Sequence, residues 1–508
     1  MEKKTLRCAA VFSDHMVLQR EKAACIFGSG RTGSCVTAEI DGCAAQTLVR
    51  DGAWRLCLPP HKAGGPFTLT VSDGETSCRF SDVLFGEVWL AGGQSNMELE
   101  LQNCKNGRAA LAACANASLR FYNVSKCAVL DAAVQAEQKN RWRVSGTEAC
   151  ADVSAVAYFC ARRLQQELQV PVGIIDCYWG GTSISCWMPE AQLRRSAAGE
   201  KYLTDFAAEV GNKTDEAYDQ EMQVYNAAYQ SWDARVKAAR VQNPDIPWEA
   251  LNQICGPCPW PQPVGRQSPF RPAGLYTTMV QRVVPYTLRG FLYYQGEQDW
   301  ASCHDYGEMM WYLIDQWRTD WQEDALPFLF VQLPMYIAKE DWEKGEDGRH
   351  FCYLREQQAR VSRFVQNTGL ASALDCGEFD NIHPLEKQTV GERLALQALQ
   401  KVYGKPLEAD SPAAVSCFPE GGGLRIRFAH TAGGLRLSGA CRDAFGCAFE
   451  VAGEDGRFFP AQAEVGQDSV CLSCAQVPYP VHARYAWYSY GPTPLYGGSG
   501  LPALPFRF

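Results

Sequence analysis

The chain has 508 residues, with 48 Lys and Arg against 57 Asp and Glu, a net charge of -9 and a pI ≈ 5.5. That acidic balance, without any basic block, argues against nucleic acid and anionic membrane surfaces as partners, and no run has the length and apolarity of a membrane span. Too long for one core, the chain is expected to hold several domains. Its basic start, Met1–Glu2–Lys3–Lys4, has no long apolar run behind it, which predicts a cytoplasmic protein.

Residues 1–82 read as short strands: Cys25–Phe27, Ser34–Ile40, Trp54–Leu58 and Phe67–Val71. Asp41–Gly42, Asp51–Gly52 and Asp73–Gly74 supply hairpin turns between them, so a small β-sandwich is expected. From residue 83 the period changes. Val88–Ala91 is a buried strand that runs into Gly92–Gly93–Gln94–Ser95, and Met97, Leu99 and Leu101 suggest a helix beyond. A serine at such a turn has backbone N–H groups and a helix N-terminus beside it, which suits an acyl-transfer nucleophile. The same pattern also suits a plain helix-capping serine, so the turn alone does not choose.

Further strands are expected at Pro171–Asp176, Gly290–Tyr294, Phe328–Leu333 and Leu370–Asp375. Helices are expected at Ser154–Leu168, Tyr306–Trp317, Leu354–Phe364 and Glu386–Tyr403. The alternation predicts an α/β domain over 83–404, a parallel sheet flanked by helices, with ligands bound beyond the carboxyl ends of its strands. Residues of about 190–265 read as a helical insertion, charged and alanine-rich before a Pro-rich return. Residues 405–508 return to β patterning at Leu424–Phe428, Phe445–Val451 and Ala483–Tyr488, a C-terminal β-domain.

The 23 cysteines are odd in number and scattered through apolar patterns, which reads as buried thiols rather than a disulfide framework. Cys255–Gly256–Pro257–Cys258 imitates a redox motif, but prolines follow where that motif needs a helix. Its pairing with Cys471 and Cys474 as a zinc site spans too great a separation to count.

A nucleophilic serine needs a base, and seven histidines allow elimination. His15, His61, His430 and His482 fall in the terminal β regions, His350 in a charged segment, and His304 at the start of a helix. His383 follows the last strand of the core, in Glu378–Phe379–Asp380–Asn381–Ile382–His383–Pro384. An acid three residues upstream can hold the imidazole so that its other nitrogen faces a serine hydroxyl. Oxyanion donors are offered at strand ends by the Ser95 N–H, a Gly180–Gly181 N–H and the Gln295 side-chain amide.

Four ordered blocks, Gly93–Gln94–Ser95–Asn96–Met97, Trp179–Gly180–Gly181–Thr182, Tyr294–Gln295–Gly296–Glu297 and Asp380–x–x–His383–Pro384, resemble those of the SGNH hydrolases, and more narrowly the sialate O-acetylesterase family of carbohydrate esterases. Phe12–Arg20, Leu354–Gln358, Val390–Leu396, Arg484–Trp487 and Gly500–Arg507 are similar to family signatures too, so the resemblance spans the chain. It implies an SGNH-hydrolase-like core and a serine esterase that removes O-acetyl groups from sugars through an acetyl-serine, with no metal or organic cofactor. Carried over, Ser95 is the nucleophile and His383 the base, and the N–H groups of Ser95 and Gly181 form the oxyanion hole with Gln295.

The family reads Asn-Asp-Ile-His-Pro where this chain has Asp380–Asn381–Ile382–His383–Pro384. The swap restores an acid–x–x–His spacing that favours Asp380 as the triad acid, with Glu297 as the rival. Trp187 and Tyr294, and also Trp300, are aromatic candidates for stacking on a sugar. The expected substrates are O-acetylated sialic acids. The alternatives are acetylated plant oligosaccharides of the xylan or mannan type and, from another class, a non-catalytic carbohydrate-binding protein.

Overall fold

The computed structural model describes residues 5–243 and 246–508; the basic start at residues 1–4 lies outside them. The chain is mixed α/β, with a large mixed sheet and separate C-terminal sheets, and it divides into two compact units. Unit 1 comprises residues 1–293 and 312–328, unit 2 residues 294–311 and 329–508.

Unit 1 opens with β1 (Ala24–Ser29), β2 (Cys35–Ile40), β3 (Cys43–Leu48), β4 (Ala53–Leu58) and β5 (Gly64–Ser72). The Asp–Gly readings hold. Asp41 and Gly42 have φ of 47° and 72°, the left-handed pair that a two-residue hairpin needs between Ile40 and Cys43. Alternation in β2 and β4 places Val36, Ala38, Ile40, Trp54, Leu56 and Leu58 inside. The expected break at 82/83 is crossed by one long strand, β6 (Ser77–Gly93), which pairs with β5 at its start and carries the core sheet at its end. A kink marks the place: Asp82 has φ of 52° and binds His15 and Arg120, each at 2.7 Å. The N-terminal strands are therefore partly continuous with the core sheet rather than a detached sandwich.

Around the second half of β6 lie β7 (Asn116–Asn123), β8 (Arg143–Ser145), β9 (Val172–Tyr178) and β10 (Gly290–Tyr294), in the order β8–β7–β9–β6–β10. β9 runs parallel to both β6 and β7, and β8 is antiparallel, so the sheet is mixed where a parallel one was expected. α1 (Ala155–Leu168) packs on β9, and its N-cap Ser154 accepts the Ala157 N–H at 3.1 Å. The expected insertion is helical: α2 (Ala197–Val210), α3 (Asp215–Gln242) and α4 (Trp248–Cys255), with a small core of Trp232, Val236, Ile246, Leu251 and Cys255. Cys255 belongs to that core and Cys258 packs against it, so the pair serves packing; among the described residues every cysteine is free.

Unit 2 contains β11 (Phe328–Gln332, from Leu329 onward) beside β12 (Thr368–Ser372), with α5 (His350–Phe364) and α6 (Gln388–Lys401) packed on β12. Its C-terminal strands share one core with Met335 and Leu374, across the expected boundary at 404/405. The fully buried Arg355 binds that joint, donating to the carbonyls of Pro334 at 3.0 Å and Tyr488 at 2.5 Å. Among the described residues, no helix is long and apolar enough to cross a membrane.

Candidate active site

In unit 1, β6 delivers Ser95. Gly93 has φ of 136°, open only to glycine, and lets the chain turn out of the sheet. The helix expected beyond is a single turn, Ser95–Glu98. Leu99 leaves it at ψ of 116° because its carbonyl accepts the Ala155 N–H at 2.9 Å, while the Leu101 N–H goes to Val153. So short a helix contributes little dipole, and the chemistry of Ser95 rests on its neighbours.

Those neighbours come from the loop after β9. The Trp179 N–H donates to the Gly93 carbonyl at 3.1 Å, tying the two strand ends together. The Gly180 N–H donates to Glu98 Oε2 at 2.5 Å, and a Cβ placed on Gly180 would meet Ser95 Cβ at 3.2 Å. The same carboxylate takes the Lys126 ammonium on its other oxygen. Thr182 Oγ1 donates to the Trp179 carbonyl at 2.7 Å and accepts the Trp187 indole N–H at 3.0 Å. Trp187 is thus fully buried behind the loop, its own carbonyl accepting the Trp317 indole. It braces the loop and presents no face to a sugar, which corrects the stacking reading.

In unit 2, His383 is half-buried in a strapped turn. Its N–H donates to Asn381 Oδ1 at 3.0 Å, Asn381 Nδ2 donates to Glu378 Oε2 at 2.8 Å, and Glu378 Oε1 accepts the Leu385 N–H at 2.7 Å. Asp380, at φ of 58°, accepts the Lys339 N–H on Oδ1 at 2.9 Å. Desolvation first, and the Lys387 ammonium second, pull the His383 imidazole down to about 4 from its ordinary 6.5. Lys387 is itself fully buried, with its Nζ 5.3 Å from the centre of the Tyr294 ring. Tyr294 is fully buried as well, which removes it as a sugar platform.

Gln295 is held from both ends: its Nε2 donates to Asp299, and the Tyr306 hydroxyl shares its one proton between the Gln295 Oε1 at 2.9 Å and its carbonyl at 2.8 Å. An amide pinned in this way keeps one orientation, as an oxyanion donor requires. Glu297, 3% exposed, opens the 3-10 turn that follows.

The reading from sequence passed over three residues. Glu98 stood directly after the serine block, an acid one turn beyond Ser95. Lys387 stood four residues after His383. Trp260 sat in the Pro-rich return and was taken as part of a connection; its indole lies against Gly181.

Residues 265–400 match the family model described as carbohydrate esterase, sialic acid-specific acetylesterase. The sialate O-acetylesterase of Mus musculus is 29% identical over 446 residues, 78% of this chain and 74% of that protein. That of Homo sapiens is 26% identical over 554 residues, 98% of this chain and 92% of that one. Among solved structures, a carbohydrate acetylesterase from Xanthomonas citri superposes with a TM-score of 0.77 at 28% identity, covering 99% of both chains. Family model, relatives and solved structure point the same way: the chain is similar to the sialate O-acetylesterases and to a carbohydrate acetylesterase of solved structure.

Proposed function

We propose that the protein is a carboxylic ester hydrolase that removes O-acetyl groups from sugars, sialic acids first among them, with Ser95 as nucleophile and an SGNH-type core. The reading is carried by the Ser95 turn: a glycine-bent strand end whose serine stands against the Gly180–Gly181 loop, with Gly180 fastened to Glu98 at 2.5 Å. Because Gly180 gives its N–H to Glu98, Gly181 is the glycine of the pair assigned to the oxyanion, joined by the Ser95 N–H and the Gln295 amide.

In the proposed reaction the Ser95 hydroxyl attacks the acetyl carbonyl as its proton passes to His383. The tetrahedral oxyanion is held by those donors, and the sugar alcohol leaves with the proton from His383. Water, activated by His383, then attacks the acetyl-serine and releases acetate. Asp380 keeps the acid–x–x–His spacing and is the proposed partner of His383, with Glu297 as the rival; Oδ1 of Asp380 is engaged by Lys339, so Oδ2 is the oxygen available to an imidazole. No step calls for a metal or organic cofactor.

The test is acetate release from a panel of O-acetylated sialic acids and acetylated xylo- and manno-oligosaccharides, with Ser95→Ala alongside. Release by the wild type but not by the variant is expected. Equal release by both would overturn the assignment, and a preference for the plant oligosaccharides would move the substrate class.

A further inference from the structure

The Pro-rich end of the helical insertion brings an indole to the nucleophile loop. A Cβ built on Gly181 would lie 2.3 Å from Trp260 Cη2 and 3.1 Å from its Cζ2, so the six-membered rim of the indole rests directly on the Gly181 backbone. Phe270 meets the ring edge to face, with centroids 5.9 Å apart and planes at 86°, which fixes its tilt. Even so, Trp260 is 52% exposed, a large apolar surface left open, whereas Trp187 and Tyr294 are closed; Trp300, 51% exposed, belongs to unit 2 and not to the Ser95 unit. The insertion's longest helix adds Tyr225 and Tyr229, stacked one turn apart with centroids at 6.0 Å. Burial first, then the charges of Cys258, Asp233, Tyr225 and Glu98, push the Tyr229 phenol up to about 12.

We infer that Trp260 is the platform on which the sugar ring of the substrate stacks, so that the insertion, and not the core, selects for carbohydrate esters. The inference rests on the esterase reading above. An acyl oxygen held at the Gly181 N–H places the ester within a few bonds of the indole rim. The group that reaches the open indole face is then the ring that carries the ester, through its apolar C–H face. A pyranose covering part of that face contributes about tenfold in affinity by the area it removes from water. Gly181 is doubly determined here: its φ of 72° and the indole both exclude a side chain.

The test compares kcat/KM for an acetylated methyl glucopyranoside with that for ethyl acetate, which has no ring, in the wild type, Trp260→Ala and Trp260→Phe. The ratio of sugar ester to ethyl acetate is expected to fall about tenfold in Trp260→Ala, mainly through KM, and to recover partly in Trp260→Phe. A ratio that stays at the wild-type value, whether the two rates hold or fall together, would overturn the platform, as would a Phe variant no better than Ala. The esterase reading fails by a different sign: wild-type hydrolysis of ethyl acetate that persists in Ser95→Ala.

Discussion

Lowering the pH from about 7 to about 5.5 should scarcely slow this enzyme. A general base works only in its neutral form, and burial followed by the Lys387 charge holds His383 at about 4. An ordinary histidine would be about 9% neutral at pH 5.5, whereas one titrating near 4 is about 97% neutral, a tenfold difference in relative rate. The assay is the initial rate of p-nitrophenyl acetate hydrolysis from about pH 4 to about pH 8, read at the nitrophenol isosbestic wavelength, with circular dichroism confirming the fold at each pH. The acid limb of kcat/KM is expected near 4. Lys387→Met removes the second cause of the depression, so its limb should move up toward the ordinary histidine value. A wild-type limb at 6.5 or above would refute the reasoning, since it would mean that the proposed carboxylate partner outweighs burial and the Lys387 charge together. A limb unmoved by Lys387→Met would clear the lysine of any part in it.

Four further outcomes are expected. Glu98→Gln loses the charged acceptor of the Gly180 N–H and should lower kcat about tenfold; a kcat within a factor of about two would free the loop from that tie. Gly181→Ala drives a methyl into Trp260 at a φ of 72° and should cost about 100-fold or more in kcat with the fold retained, whereas near-normal turnover would remove Gly181 from the oxyanion hole. Asp380→Asn should cost far more than Glu297→Gln, toward the roughly 10⁴-fold seen when a triad acid is lost, and the reverse order would exchange their roles. Asp176 is 2% exposed and burial pushes its carboxyl up to about 7. A raised folded value means that its contribution to stability is present in acid and is lost as pH climbs from about 4 to about 7, so Asp176→Asn should exceed the wild type by a few kcal/mol near pH 8 and match it near pH 4; urea midpoints that differ equally at both would sink this.

Local signals were legible wherever they decide the backbone alone. Gly290–Tyr294 is a strand with the bounds read from its apolar run, Asp41–Gly42 is the hairpin its dipeptide announces, and Ser154 caps the helix it precedes. The failures share a cause outside the local window. The apolar spacing of Met97, Leu99 and Leu101 suits a helix, yet Leu99 and Leu101 pair with the distant segment 153–155 and the helix stops at one turn. Asn116–Asn123 begins polar and was not read as a strand; β9 alongside makes it one. Trp187 and Trp260 are the same letter in similar loops, and only the partners distinguish them: Thr182 and Trp317 enclose the first, while Phe270 leaves the second half open.

The four blocks marked out the loop proposed to serve the nucleophile but gave no account of its electrostatics. Glu98 is poorly placed at first sight, a carboxylate beside the serine at which, in the proposed reaction, the acyl carbonyl oxygen turns negative. Its two oxygens resolve the matter: one takes the Gly180 N–H at 2.5 Å and the other the Lys126 ammonium. The ammonium, itself 5.4 Å from the centre of the Tyr178 ring, compensates the charge, so the carboxylate acts as a clamp rather than as a net anion at the site. With Gly180 clamped, Trp187 behind Thr182 and Trp260 against Gly181, the loop is held from three sides before any substrate arrives. An oxyanion donor is effective to the extent that its N–H already points where charge will appear, with no reorganisation left to the reaction itself. The indole that selects the sugar and the carboxylate that fixes the glycine pair therefore act on one backbone segment, which couples substrate choice to catalytic geometry.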